Sequence, residues 1–150
     1  MEWQKDDFLI STDKQKLDLA YIHHYLSKES YWAANIPFHT VKKAIDNSIC
    51  FGIYQREQQI GFARMITDEA TFGYLADVFI DTHFRGKGLS KWLMEIIMDY
   101  PSFQGFRRIM LATRDAQGLY AKFGFTHPAN QQEIMYIRRP EIYKKSETNM

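Results

Sequence analysis

This chain has a single cysteine, no long apolar run and almost no net charge. One cysteine, Cys50, excludes an internal disulfide framework and any thiolate-rich zinc site built from one chain, which fits a reducing, cytoplasmic setting. No stretch approaches the roughly 18 apolar residues of a membrane span. The opening MEWQKDDFLI has neither the basic flank nor the apolar run of a secretion signal, so a soluble protein with no membrane partner is expected. Nineteen basic residues against eighteen acidic ones leave +1, too little to draw the chain toward nucleic acid. The five histidines show no HExxH or other ligand spacing, and no metal is expected. What is abundant is apolar surface: 45% of the 150 residues are hydrophobic and 15% aromatic, too much for a disordered chain and enough for one core.

The pattern along the chain reads as alternating elements. Phe8 to Ile10 form a short strand, and Thr12 with Gln15 matches a capping box opening a helix that aligns Leu19, Ile22 and Leu26 and fades near Ser27 to Ser30. An irregular segment runs to Pro37, and a second helix follows from about Phe38 to Ile45. Ile49–Tyr54 and Gln59–Thr67 read as an antiparallel hairpin across the polar QREQ. Tyr74–Ile80 is apolar except for Asp77, as expected of a central strand covered on both faces. Leu89, Trp92, Leu93, Ile96, Ile97 and Tyr100 then follow a helical period that Pro101 ends. Arg108–Thr113 resemble a strand, Gln117–Phe123 a short helix stopped by Gly124, and Glu133–Arg138 a last strand. The layout is mixed α/β, with residues 1–143 as one domain and 144–150 as a polar, loose tail.

A strand–turn–helix unit at the centre carries the turn Arg85-Gly86-Lys87-Gly88-Leu89-Ser90. The first turn of a helix presents unpaired N–H groups and the positive end of its dipole, so an anion belongs there. Two glycines let the backbone approach a phosphate, while Arg85 and Lys87 add charge and Ser90 a hydroxyl. Each dipole contact is worth roughly 0.3–1 kcal/mol, so a useful ligand combines several donors with a bulkier handle elsewhere. A P-loop would need a glycine where Asp81 stands and a Ser or Thr where Gly88 stands. A dinucleotide fingerprint from Gly86 would need glycine at Lys91.

The turn instead resembles the phosphate loop of the GNAT N-acetyltransferase family, in which Gln or Arg is followed by two residues, a glycine, one residue, and Gly or Ala. Ser90 departs from that pattern at its last place. Two further features match: the apolar-x-apolar end of the strand, Val78-Phe79-Ile80, and the run from Asp115 to Phe125, which resembles the family's helix ending in Tyr-x-x-x-Gly-Phe. The resemblance implies a twisted, mostly antiparallel sheet that splays open between the strand at Tyr74 and the one at Arg108, flanked by helices. It also implies acetyl-CoA as cosubstrate, its pantetheine arm on the backbone of Val78, Phe79 and Ile80 and its diphosphate on residues 85–90. Direct attack by a substrate amine follows, with Tyr120 as the general acid near the coenzyme sulfur.

Three further roles are less determined. Asp77 is a lone charge in an apolar strand and needs a partner, Arg64 or Arg114, or else grips or deprotonates the amine. Strand alternation points it away from the face of Tyr74, Ala76 and Val78, and Tyr74 with a water chain is the rival base. Tyr31, Trp32 and Phe38 cluster in sequence and either wall the substrate by cation–π contact or cap the core. Cys50, opening a strand, is most simply a small buried residue. The expected acceptor is an amine of a small molecule or peptide, and the chain is a monomer or homodimer. A different class, a catalytically silent acyl-CoA sensor, keeps the pocket without the chemistry.

Overall fold

The computed structural model describes residues 1–144; the loose tail expected from residue 144 onward lies, but for Lys144, outside the described residues. Six strands form one sheet in chain order: β1 (Glu2–Lys5), β2 (Phe8–Ser11), β3 (Ile49–Gln55), β4 (Gln58–Thr67), β5 (Phe72–Ile80) and β6 (Arg108–Met110). All neighbours are antiparallel except β5 and β6, which are parallel. The β3–β4 hairpin stands where the period-2 pattern put it, turning through Arg56 at φ 56.

The sheet is buried on both sides. One face, carrying Phe51, Ile53, Ala63, Met65 and Leu75, receives Leu93, Met94, Ile96 and Ile97 of α3 (Leu89–Asp99). The other, carrying Cys50, Phe62 and Phe79, receives Ile22 of α1 (Leu19–His24) and Val41 and Ile45 of α2 (Phe38–Asp46). Burial of such side chains contributes about 1.5–3 kcal/mol each. Cys50 is among them, fully buried with its Sγ directed at Ile45 O.

Several expectations are corrected. The Thr12 capping box does not form: Asp13 caps a 3₁₀ turn at Lys14–Lys16, and Asp18 caps α1 by accepting from Tyr21 N–H at 3.0 Å. A carboxylate is the better cap, and it stands nearer the first apolar residues. The helix then continues as a π-helical turn, Tyr25–Glu29. Polar β1 escaped the pattern because Trp3 is its only side chain packed on the core. β5 is one strand in from the edge rather than central. Its pairing with β6 covers only Phe72–Tyr74 against Arg108–Met110, so the two part beyond that point and β5 has a free edge from Leu75 to Ile80. The last strand, Glu133–Arg138, is absent: after α4 (Gln117–Ala121) the chain runs as an arm with a single 3₁₀ turn, Gln131–Glu133.

Candidate active site

Where β5 leaves β6, a bulge reshapes it. Phe62 faces Phe79 and Arg64 faces Ala76, so Asp77 and Val78 together oppose Ala63 alone. Asp77 takes φ 54, a left-handed conformation that aspartate tolerates better than most residues. The bulge overturns the expectation from simple alternation: the Asp77 carboxylate reaches the face of Tyr74 and Ala76, where Arg64 lies. Arg64 Nε donates to its Oδ2 at 2.6 Å and Trp32 Nε1 to its Oδ1 at 2.7 Å. With side-chain exposures of 16% for Arg64 and 10% for Asp77, the pair is nearly desolvated, and each charge requires the other.

Trp32 meets Tyr31 edge-on at 5.0 Å, and Tyr31 in turn is covered by the Arg114 guanidinium 3.8 Å above its ring. The backbone N–H of Arg114 donates to Tyr31 Oη at 3.2 Å. These contacts tie the irregular segment before α2 to the loop after β6, across the opening. Phe38 is not brought into this group. It heads α2 and meets His23 edge-on at 5.4 Å. Arg114, weighed as an ion partner for Asp77, serves as a stacking cation instead; nothing in the sequence distinguishes the two roles.

Tyr120 lies on α4, buried, with Phe125 edge-on at 5.9 Å. Its hydroxyl has no hydrogen-bond partner among the described residues. Burial, then the neighbouring Tyr31 and Asp115, push its pKa up to about 12. Tyr120 and Tyr74 line one groove of about 1850 Å³, with Met110, Leu111, Phe125 and Tyr136 also on its walls.

The turn after β5 is shaped as expected but Arg85 is used differently. Gly86 and Gly88 stand at φ 81 and φ 77, and Gly88 opens α3, whose first bond runs from Trp92 N–H to Gly88 O at 3.1 Å. The amides of Leu89, Ser90 and Lys91 therefore have no partner within the helix. Arg85 turns back onto the fold: Nε donates to Ile80 O at 3.3 Å and Nη2 to Tyr25 Oη at 3.2 Å. Tyr25 is itself stacked on Phe79 at 3.8 Å. Phe79 is thus buried by its side chain and has only backbone to offer. A cavity of about 360 Å³ joins the turn to the end of β5 and to α4, lined by Ile80, Gly86, Gly88, Ser90, Lys91 and Leu119 among others. An extended arm ending in a diphosphate fits these residues: free strand edge, then glycines, then free helix amides.

A splayed sheet edge, a glycine turn opening a helix and a tyrosine helix across the gap form the frame of an acetyltransferase. Residues 19–125 match the family model described as Acetyltransferase (GNAT) family, and the chain belongs to that family. A crystal structure from Xanthomonas campestris pv. campestris, of a proposed acetyltransferase of the GNAT family, superposes with a TM-score of 0.90 at 46% identity, over 93% of this chain and 99% of that one. A protein of Gibberella zeae proposed to be an acetyltransferase is 34% identical over 142 residues, 80% of this chain and 79% of its own length. A proposed acetyltransferase from Clostridium acetobutylicum, solved with acetyl-CoA, shares the fold at 15% identity with a TM-score of 0.66, over 87% of this chain and 94% of that one.

Proposed function

We propose that the protein moves the acetyl group of acetyl-CoA to a primary amine of a small molecule or peptide, by direct attack in a ternary complex. What supports this most is one continuity: the free edge of β5 from Leu75 to Ile80 leads, through a 3₁₀ turn at Thr82–Phe84 and the glycine turn, to the unpaired amides that open α3. When bound, acetyl-CoA supplies a thioester carbonyl open to attack by an amine. The backbone of Val78, Phe79 and Ile80 holds its extended arm. Gly86, Gly88, Leu89 and Ser90 present amides to the diphosphate and Lys87 adds an ammonium, while Arg85 fixes the turn from behind. The Clostridium acetobutylicum relative, which shares the fold, was solved with acetyl-CoA, and this supports the choice of coenzyme.

Tyr120 keeps its proton at neutral pH, because burial raises its pKa to about 12, and its unpartnered hydroxyl donates that proton to the departing sulfur. As the amine nitrogen bonds to the carbonyl carbon the C–S bond breaks, and the proton lost from nitrogen leaves through water in the groove beside Tyr74. Asp77, with both oxygens engaged, acts by holding Trp32 as a wall for the amine rather than as the base. Cationic amines gain about 0.5–1 kcal/mol over such a ring. An acyl-enzyme route is disfavoured, since Cys50 is buried and its thiol pushed up to about 11.

Acetyl-CoA, but not ATP or NAD, should raise the melting temperature, and an amine panel should release thiol from it. Tyr120→Phe should lower kcat by about 10²-fold or more while leaving the Kd for acetyl-CoA nearly unchanged. Stabilisation by ATP alone would overturn the coenzyme assignment, and unchanged turnover would remove Tyr120 as the acid.

A further inference from the structure

We infer that the acceptor amine also carries an oxyanion, a carboxylate or a phosphate, and that the Arg114 guanidinium at the mouth of the site binds it. That the ligand is an acceptor rests on the acetyltransfer reading; that it is anionic rests on the charges around the opening. Two arginines come to this opening, and they are used differently. Arg64 is satisfied inside the fold, donating to Asp77 Oδ2 at 2.6 Å and to Ser48 Oγ at 3.1 Å. Arg114 is exposed, and its side chain has neither an ion pair nor a hydrogen bond among the described residues. Its guanidinium lies 3.8 Å over the Tyr31 ring, a contact that fixes the charge and uses none of its N–H donors. The carboxylate next to it in sequence, Asp115, turns instead to Thr113 Oγ1, 3.5 Å away.

The surroundings hold that charge in place. Tyr31 and Trp32 are 40% and 41% exposed, more than a cap on the core requires, yet each ring is tied at its polar tip. Trp32 Nε1 donates to Asp77 Oδ1 at 2.7 Å, and Tyr31 Oη accepts from the Arg114 backbone N–H at 3.2 Å. The two rings stand at 85° to each other. Exposed aromatic faces fixed in a corner serve a ligand, because side chains locked by neighbours are what a binding wall needs. The loop that carries Arg114 is pinned as well, since Thr113 Oγ1 accepts from Ala116 N–H at 3.1 Å just before α4. α4 brings Tyr120, and Tyr31 is close enough to help raise the pKa of that phenol. Arg114, Tyr31 and Tyr120 therefore border one opening. An amine lodged on the Trp32 face has the guanidinium beside it for an anion at its other end. Guanidinium meets carboxylate or phosphate through two parallel N–H···O bonds, which set orientation as well as affinity.

Matched amines test this: 3-aminopropanoate against propylamine and 4-aminobutanoate against butylamine for the carboxylate, 2-aminoethyl phosphate against 2-aminoethanol for the phosphate. At least one anionic member should exceed its neutral partner in kcat/KM by about 10- to 100-fold, and the pair that shows it names the oxyanion. Arg114→Lys keeps a charge and should retain part of that ratio. Arg114→Met covers the Tyr31 ring without charge and should bring the ratio close to one, through KM rather than kcat. A guanidinium that only supports Tyr31 would, when replaced, lower both members of a pair alike; an unchanged ratio therefore overturns the inference, as does preference for the neutral partner in every pair. Calorimetry with the same amines, with and without CoA, reads anion binding apart from turnover: the wild type should bind the preferred anionic amine and the Arg114→Met variant should not. Equal binding by the two proteins, or none by either, overturns the anion site. Arg114-dependent binding of an anionic amine by a chain that neither binds nor cleaves acetyl-CoA would instead count against the acetyl-CoA assignment.

Discussion

On the proposed reading Asp77 serves position rather than proton transfer. Its two carboxylate oxygens are taken by Arg64 and Trp32, and its left-handed φ of 54 is part of the bulge that puts it there. Asn tolerates that conformation and keeps an acceptor for one donor. Asp77→Asn should therefore raise the KM for the amine several-fold and leave kcat within a few-fold, whereas loss of a base would lower kcat by about 10²-fold or more. Steady-state kinetics with a single amine separates the two. Asp77→Ala leaves the Arg64 charge uncompensated, and urea unfolding should show a loss approaching the roughly 3–5 kcal/mol of buried pairs. Tyr54 makes the opposite case. Its ring lies over Gly52 and its buried hydroxyl has no hydrogen-bond partner. An unsatisfied buried hydroxyl costs about 1–3 kcal/mol, so Tyr54→Phe should stabilise the protein by about 1 kcal/mol in the same assay. Of these two residues, the sequence exposed the oddity of Asp77 but not its direction, because a bulge resets alternation without any residue-type signature. Tyr54 looked like an ordinary strand aromatic.

At the scale of elements, the acetyl-CoA reading makes the turn between β5 and α3 the place where backbone shape and ligand affinity meet. Gly88 opens α3 at φ 77, and a Cβ there would touch nothing within 4 Å, so the demand for glycine comes from the dihedral alone. Gly88→Ala should cost about 1–2 kcal/mol for the left-handed conformation and weaken acetyl-CoA measurably by calorimetry. If stability falls while the Kd is unchanged, the turn is structural only. This turn was legible in the sequence because glycines, cations and an abrupt helical period coincide within a few residues. So were the β3–β4 hairpin, α2 and α3, whose periods are strong. The splay was expected only through the family resemblance: the pairing stops after Tyr74, and no side chain by itself announces where a ladder ends. Nor was the use of Arg85 legible, since its partners Ile80 O and Tyr25 Oη come from a strand end and from a π-helical turn remote in sequence. Glu133–Arg138 carries strand-forming residues yet pairs with no strand among the described residues, because propensity reports the capacity to pair and not the presence of a neighbour.

The molecule as a whole buries ionisable side chains on both faces of one sheet, and this sets its behaviour in alkali. Burial raises the Cys50 thiol to about 11 and the Tyr120 phenol to about 12, and pushes Tyr21 and Tyr54 higher still. In the unfolded chain these groups release protons from about pH 8.5 for Cys and about pH 10 for Tyr. The folded state therefore holds more protons than the unfolded one above that range, and stability falls with rising pH. The contribution is complete below about pH 8, begins to fail as the unfolded cysteine ionises, and drops more steeply once unfolded tyrosines ionise above pH 10. Unfolding free energies measured by urea from pH 7 to 12 should thus be flat at first and then decline with a slope that grows beyond pH 10. Tyr54→Phe removes one of the groups responsible, so its decline between pH 10 and 12 should be shallower than that of the wild type. Equal slopes would mean that the loss comes from the general neutralisation of lysines and not from the buried phenols.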